Sequence, residues 1–231
     1  MKTIGLLGGM SWESSLEYYR IINQRVKERL GGLHSAKCLL YSVDFQEIET
    51  LQHQGLWDQA GRLLGEAARA LQRGGADFLM ICTNTMHKVA PVVQQQISIP
   101  LLHIADPTAK SVLSQGIRKI GLLGTRFTMQ EDFYKGKLVR DHGLTVLTPT
   151  DTDMDIIHQV IFEELCLGLV KDVSKKKYIA VIKRLEAAGA EGVILGCTEI
   201  GLLVKDQDCS IPLFDTTVIH AEAAVDDALT P

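Results

Sequence analysis

Basic residues are not in excess: 24 lysines and arginines stand against 28 aspartates and glutamates in 231 residues, a formal net charge of -4. A surface that holds nucleic acid needs a positive excess, so that class of partner is not expected. No apolar run reaches the roughly 18 residues of a membrane helix without proline, charge or several glutamines intervening, so no membrane span is expected either. The opening Met1-Lys2-Thr3 and the short, glycine-rich run 4–10 end against acidic Glu13, unlike a secretory leader, and the expected compartment is the cytoplasm. Cysteines are few and scattered: Cys38, Cys82, Cys166, Cys197 and Cys209, no two closer than twelve positions. That spacing excludes a disulfide framework and a CxxC zinc site. His34, His53, His142, His158 and His220 have no partner at metal-ligand spacing, so no metal is expected. No Walker motif or GxSxG elbow occurs. Gly5-Leu6-Leu7-Gly8-Gly9 is half a dinucleotide fingerprint, but the acidic residue ending the next strand, Asp44, lies 36 positions beyond Gly8 where about 20 are needed.

What is present is ordinary globular composition, 46% hydrophobic and 23% charged, and an internal echo. Ile4-Gly5-Leu6-Leu7-Gly8 recurs as Ile120-Gly121-Leu122-Leu123-Gly124, displaced by 116. Gly75-Ala76-Asp77 recurs as Gly189-Ala190-Glu191, displaced by 114, and Ser98-Ile99-Pro100-Leu101 as Ser210-Ile211-Pro212-Leu213, displaced by 112. Tyr18-Tyr19 is echoed by Phe133-Tyr134 at 115. Four echoes in one order at nearly one displacement mark a repeated unit.

Short runs apolar on both faces, as parallel strands covered by helices should be, fall at 3–7, 37–42, 78–82, 101–104, 119–123, 145–147, 192–196 and 213–214. Helical patterns lie between them: one capped by Ser11 and running to about Leu30, then 56–73, 129–141, 155–167, 173–188 and 218–229. The expected fold class is α/β: two pseudo-symmetric lobes, each a parallel sheet flanked by helices, with the active site in the cleft between them. The expected lobes are 1–115 and 116–231, with a boundary near Gly116 and the last helix packing back on the first lobe.

In an open parallel sheet, ligands bind beyond the carboxyl ends of the strands. The loops at those ends are Cys82-Thr83-Asn84-Thr85-Met86-His87 in one half and Gly196-Cys197-Thr198-Glu199 in the other. A displacement of 114 aligns Thr83 with Cys197, Asn84 with Thr198 and Thr85 with Glu199. Two opposed proton-carrying groups suit stereoinversion, one removing a proton from a carbon and the other delivering one to the opposite face. Gly8-Gly9 would allow close backbone approach, and the helix starting at Ser11 would offer N–H groups to an anion. Asn84, Thr85, Thr125 and Thr198 can hydrogen-bond a carboxylate or ammonium, and Glu199 can accept from the ammonium. No lysine in these loops suggests a pyridoxal Schiff base, so no cofactor is expected. Cys38, Cys166 and Cys209 read as small core residues, and His103 as structural. His87 stays open between a site role and a structural one.

Gly8-Gly9-Met10-Ser11, Cys82-Thr83-Asn84-Thr85-Met86-His87 and Gly196-Cys197-Thr198-Glu199 resemble the aspartate/glutamate racemase family, along essentially the whole chain. The resemblance implies a cofactor-independent two-base amino-acid racemase, a small-molecule amino-acid substrate and a homodimer. It departs at one position. The family's usual Cys-Asn-Thr has Thr83 in place of its cysteine, with Cys82 one residue earlier and expected to turn away into the core. The resemblance makes Cys197 the base that attacks the L-enantiomer and Thr83 the group that reprotonates, with weak turnover from the D side. The loops at the strand ends and the stretches after the second strands make Met10, Gln52, Asn84, Thr85, Thr125, Glu164, Thr198 and Glu199 the expected substrate-binding set. Aspartate or glutamate is the expected substrate, although 44–54 and 151–168 contain no lysine or arginine, and Glu164 would repel a second carboxylate. Two other readings stay open: a non-catalytic amino-acid-binding relative, and a one-cysteine decarboxylase or isomerase of the same superfamily.

Overall fold

A computed structural model describes residues 1–230. Its contacts divide the chain into two units: Met1–Ile104 with the residues from His220 onward, and Ala105–Ile219. The division therefore falls at Ile104–Ala105, not near Gly116, because the helix after Ile104 packs against elements of the second unit.

The first unit holds β1 (Ile4–Gly8), β2 (Cys38–Ser42) and β3 (Phe78–Ile81), all parallel and ordered β2-β1-β3. Its helices are α1 (Trp12–Leu30), α2 (Phe45–His53), α3 (Trp57–Arg73) and α4 (Ala90–Gln94). The buried side of α3, with Ala60, Leu64, Ala68 and Leu71, packs with Ile48, Leu79 and Val93 into one core cluster. The second unit holds α5 (Ala105–Ser114), β4 (Lys119–Gly124), α6 (Arg126–Gln130), α7 (Lys135–His142), β5 (Thr145–Leu147), α8 (Asp151–Glu163), α9 (Asp172–Ala187), β6 (Val193–Gly196), α10 (Ile200–Leu203) and β7 (Leu213–Asp215). Its parallel sheet is ordered β5-β4-β6-β7. The last helix, α11 (Thr216–Leu229), crosses the division, and from His220 onward it belongs to the first unit. There the Lys2 N–H donates to the Ala228 carbonyl (2.8 Å), and Arg25 and Arg29 of α1 pair with Glu222 and Asp226.

The sequence echoes have structural causes. Gly75 and Gly189 both take positive φ, +98° and +94°, in the turns that follow α3 and α9. Two residues later the Asp77 carboxylate accepts the Thr3 N–H, and the Glu191 carboxylate accepts the Arg118 and Lys119 N–H groups, at the starts of β1 and β4. The Pro100 carbonyl accepts the Leu79 N–H (2.8 Å), and the Pro212 carbonyl accepts the Val193 N–H (2.9 Å). Each repeated tripeptide or tetrapeptide thus satisfies backbone groups at the same place in a sheet.

Several boundaries differ from expectation. The run 101–104 is not a strand: Leu101 makes a single bridge to Leu79, and the Ile104 N–H donates to the His87 ring instead of to a neighbouring strand. The helix expected at 129–141 is two, α6 and α7, separated where Tyr134 is drawn fully into the core. The helix expected at 155–167 begins at Asp151, capped by Thr150, and gives way to a 3-10 turn at Leu165–Leu167. Asp44, with its side chain accepting the Gln46 N–H, starts the unforeseen α2.

One buried group ties α11 into the first unit. The His220 Nε2 donates to the Leu102 carbonyl (2.9 Å), and its Nδ1 accepts from the Tyr18 hydroxyl (3.0 Å). Burial, with His87 nearby, pulls its pKa down to about 3. Between the ordinary histidine value near 6.5 and that folded value, the unfolded chain takes up a proton that the fold refuses. The unfolding free energy is therefore expected to fall as pH drops through this window, by up to roughly 1.4 kcal/mol per pH unit from this group. Denaturant titrations from neutral pH down to about pH 4 should show that slope in the native chain and a shallower one in His220→Gln.

Candidate active site

One candidate loop cluster, in the first unit, forms where β1 and β3 end. The turn Gly8-Gly9-Met10-Ser11 includes a cis peptide between Met10 and Ser11. Gly9 has φ +89°, and a Cβ there would stand 2.2 Å from the Val43 carbonyl oxygen, so its glycine serves packing against the chain after β2. The Gly9 N–H donates to Ser15 Oγ (2.7 Å), and Ser11 Oγ accepts the Ser14 N–H (3.3 Å). The Ser14 N–H, in the helix start expected to face an anion, is thus bonded to its own cap, and the Gly9 N–H is bonded to Ser15. The Ser14 hydroxyl donates to the Cys82 carbonyl (2.9 Å), and the Cys82 N–H donates to the Leu7 carbonyl (2.9 Å). These bonds dock the end of β3 on β1 and α1.

Cys82 is wholly buried, and burial pushes its thiol far up, as its expected core position requires. Thr83 is half-buried, and Asn84, Thr85, Met86 and His87 are buried in and beside a 3-10 turn at Thr85–Val89. Met10 is buried as well. Gln52 reaches the loop from α2, its Nε2 lying 2.9 Å from the Met86 sulfur. The His87 Nδ1 lies 2.8 Å from the Thr83 carbonyl.

The matching loop cluster of the second unit forms at the ends of β4 and β6, where Gly124 and Gly196 are register partners. A Cβ on Gly124 would stand 2.8 Å from the Gly196 carbonyl, so the loops that begin at Thr125 and Cys197 leave the sheet side by side. Thr125 caps α6 through Thr128. Cys197 is 8% exposed, and its Sγ–H donates to Glu199 Oε2 (3.0 Å). The Thr198 hydroxyl donates to the same oxygen (2.7 Å). Glu199 is 3% exposed. Expected to accept from a substrate ammonium, it already accepts from two neighbours in its own loop. Burial first, then the negative charge of Glu199, pushes the Cys197 thiol well above its usual range. Tyr178, whose hydroxyl donates to the Ile157 carbonyl (2.9 Å), is raised by burial and then by Cys197, Cys166, Glu164 and Glu199 around it.

Glu164 joins this neighbourhood from the end of α8. It accepts from the Ser174 hydroxyl (2.7 Å), has Lys171 Nζ 3.3 Å away, and is held below the usual carboxylate range by Ser174 first and then Lys171. Lys171 lies three residues beyond 151–168, the stretch after β5 that contains no lysine or arginine. Ser14, Tyr18 and His220, which no local motif marks, reach the Thr83 side from distant parts of the chain. A hollow of about 300 Å³ in the second unit, lined by residues including Leu195, Gly201, Lys205, Phe214 and Asp215, includes none of Cys197, Thr198 or Glu199. Among the described residues no group of three or more His, Cys, Asp or Glu side chains is placed to hold a metal ion, and no helix is long and apolar enough to cross a membrane.

Each α/β unit thus ends its parallel sheet in a matched loop, one carrying a threonine and the other a cysteine beside a buried glutamate. Comparison with known proteins identifies the family. The family model for Asp/Glu/hydantoin racemases matches residues 7–224. A crystal structure of a provisionally assigned Asp/Glu racemase from Yersinia pestis is similar over 100% of both chains, with 58% identity and a TM-score of 0.93. An aspartate racemase homologue from Pyrococcus horikoshii OT3 is similar over 100% of both, with 36% identity and a TM-score of 0.86. The broad-specificity amino-acid racemase RacX of Bacillus subtilis is 22% identical over 96% of both chains. The chain belongs to the Asp/Glu/hydantoin racemase family, and a racemase is the class of enzyme these similarities support.

Replacing Glu199 by glutamine removes a negative charge beside Sγ, so the Cys197 pKa should fall and its thiolate fraction rise. Labelling of Cys197 by iodoacetamide at mildly alkaline pH, followed by peptide mass spectrometry, should run several-fold faster in Glu199→Gln. An unchanged rate would show that Glu199 does not hold the thiol protonated.

Proposed function

We propose that the chain is a pyridoxal-independent racemase of aspartate or glutamate that works from the L-enantiomer. Cys197, as thiolate, removes the α-proton, and the Thr83 hydroxyl delivers a proton to the opposite face. The observation that carries this reading is the placement of Thr83 and Cys197 at equivalent strand ends of two sheets with the same local wiring.

The chemistry follows from the groups' environments. The Cys197 thiol must lose its proton before it can act, and the Glu199 carboxylate at 3.0 Å is the acceptor in reach. A bound amino acid brings an ammonium charge that favours the thiolate and offsets the charge of Glu199. Asn84, Thr85, Thr125 and Thr198 supply hydrogen bonds to the α-carboxylate and ammonium, while Met10 and Gln52 shape the side-chain end. Lys171 beside Glu164 gives a distal carboxylate a cation to balance the glutamate. The Thr83 hydroxyl gives its proton to the strongly basic α-carbanion and is reprotonated by solvent. For the reverse direction Thr83 would have to act as an alkoxide, which neutral solution does not supply, so turnover from the D side is slow.

The five free cysteines suit a reducing compartment, the cytoplasm. Trp12, Leu16 and Tyr19 on α1 and Leu40 on β2 are largely exposed around one apolar hollow, a surface on which a second copy could form the proposed homodimer.

The test is deuterium wash-in at the α-carbon of L-aspartate and L-glutamate in heavy water, with chiral analysis of the products and sedimentation of the native chain. Inversion from the L side well above that from the D side, and loss of exchange in Cys197→Ala, are expected. Equal initial rates from both enantiomers, or exchange that survives Cys197→Ala, would overturn the mechanism. Binding without exchange would identify an amino-acid-binding relative, and release of carbon dioxide a decarboxylase.

A further inference from the structure

The first unit contains a cluster of three histidines, His87 and His220 buried and His103 half-buried, that the proposed proton transfers do not use. His87 is 1% exposed, and both ring nitrogens are engaged. Its Nδ1 faces the Thr83 carbonyl at 2.8 Å, which can only accept, so Nδ1 carries the proton. Its Nε2 faces the Ile104 N–H at 3.2 Å, which can only donate, so Nε2 carries the lone pair. The two bonds together require a neutral ring in one tautomer.

The ring's orientation is fixed from the sides as well. The His103 ring centroid is 4.5 Å away and the His220 centroid 5.9 Å away, and His220 is itself held by Tyr18 and the Leu102 carbonyl. His87 thereby joins Thr83 to Ile104, the residue at which the chain leaves the first unit. A β-branched side chain such as threonine has few χ1 choices, so a fixed backbone largely sets where the hydroxyl points.

We propose that His87 is a positioning residue: its ring, clamped between the Thr83 carbonyl at Nδ1 and the Ile104 amide at Nε2, sets the direction of the Thr83 hydroxyl and so controls delivery of the proton to the α-carbon. This rests on the reading that Thr83 is the reprotonating group. It predicts that the two half-reactions separate. Without the clamp, Cys197 still removes the α-proton and returns a solvent deuteron to the same face, while delivery to the opposite face fails.

The experiment follows the full chain with L-aspartate or L-glutamate in heavy water, measuring deuterium in recovered L-substrate by NMR and D-product by chiral chromatography. In His87→Leu, which keeps the volume and loses both hydrogen bonds, inversion should fall roughly 10- to 100-fold while exchange into the L pool falls less than about threefold and KM stays near native. His87→Asn, whose amide nitrogen can replace Nδ1 as donor, should recover most of the inversion. A proportional fall in exchange and inversion, or no fall in either, would overturn the inference and leave the racemase reading standing. A native chain that neither exchanges nor inverts would instead overturn the racemase reading. Should the variants fail to fold, nitrogen-15 NMR of the native histidines decides: the Nδ1–H tautomer is expected at His87, and an Nε2–H or doubly protonated ring at neutral pH would refute the clamp.

Discussion

A carboxylate kept from water must find donors, and in this chain Glu199 finds two within its own loop, the Cys197 thiol and the Thr198 hydroxyl. That arrangement decides how Cys197 behaves. Buried beside a negative charge, it rests as a thiol, and a cationic group arriving nearby is what would shift the balance. A reactive thiolate held permanently in an open protein is a target for alkylation and oxidation. In the proposed mechanism, storing the base as a thiol confines its reactivity to the occupied state.

The matched loop on the other sheet is built differently although its backbone is laid out alike. Thr85 stands where Glu199 would be and Thr83 where Cys197 would be, and the neighbouring titratable group, His87, meets the Thr83 main chain, whereas Glu199 meets the Cys197 side chain. One scaffold therefore supports two kinds of control. In the second loop an acid tunes the ionisation of a sulfur; in the first an imidazole tethers the backbone of a hydroxyl residue whose ionisation is out of reach. The inequality between forward and reverse rates in the proposed mechanism has its root in that difference.

Much of this layout was legible in the residues. The echoes at Gly75-Ala76-Asp77 and Ser98-Ile99-Pro100-Leu101 could be read because each performs a local backbone task that only a few residue types perform: a positive φ, a carboxylate on strand amides, a proline at a strand's start. Cys82 as a core residue and Ser11 as a cap followed from alternation and capping preference. What could not be read were choices made by tertiary partners. Tyr134 interrupts a helical pattern because its ring is wanted in the core. Ile104 leaves its expected strand because a histidine seventeen residues earlier takes its N–H. Lys171 moderates Glu164, and His220 meets Tyr18 across 202 positions. None of these leaves a periodic trace, since a single long-range hydrogen bond or ion pair has no spacing rule.

The chain's route through its two units bears on how it is made. The second unit is one uninterrupted stretch, Ala105–Ile219, whereas the first needs both Met1–Ile104 and the residues from His220 onward. On a ribosome, the stretch translated first must wait for the stretch translated last before α1 gains its ion-pair partners on α11 and Tyr18 its imidazole. The later-encoded half can reach its native packing while the earlier one is still incomplete, which inverts the usual vectorial order of assembly. The Thr83 loop, whose anchoring histidine packs against His220, would be among the last parts of the molecule to set.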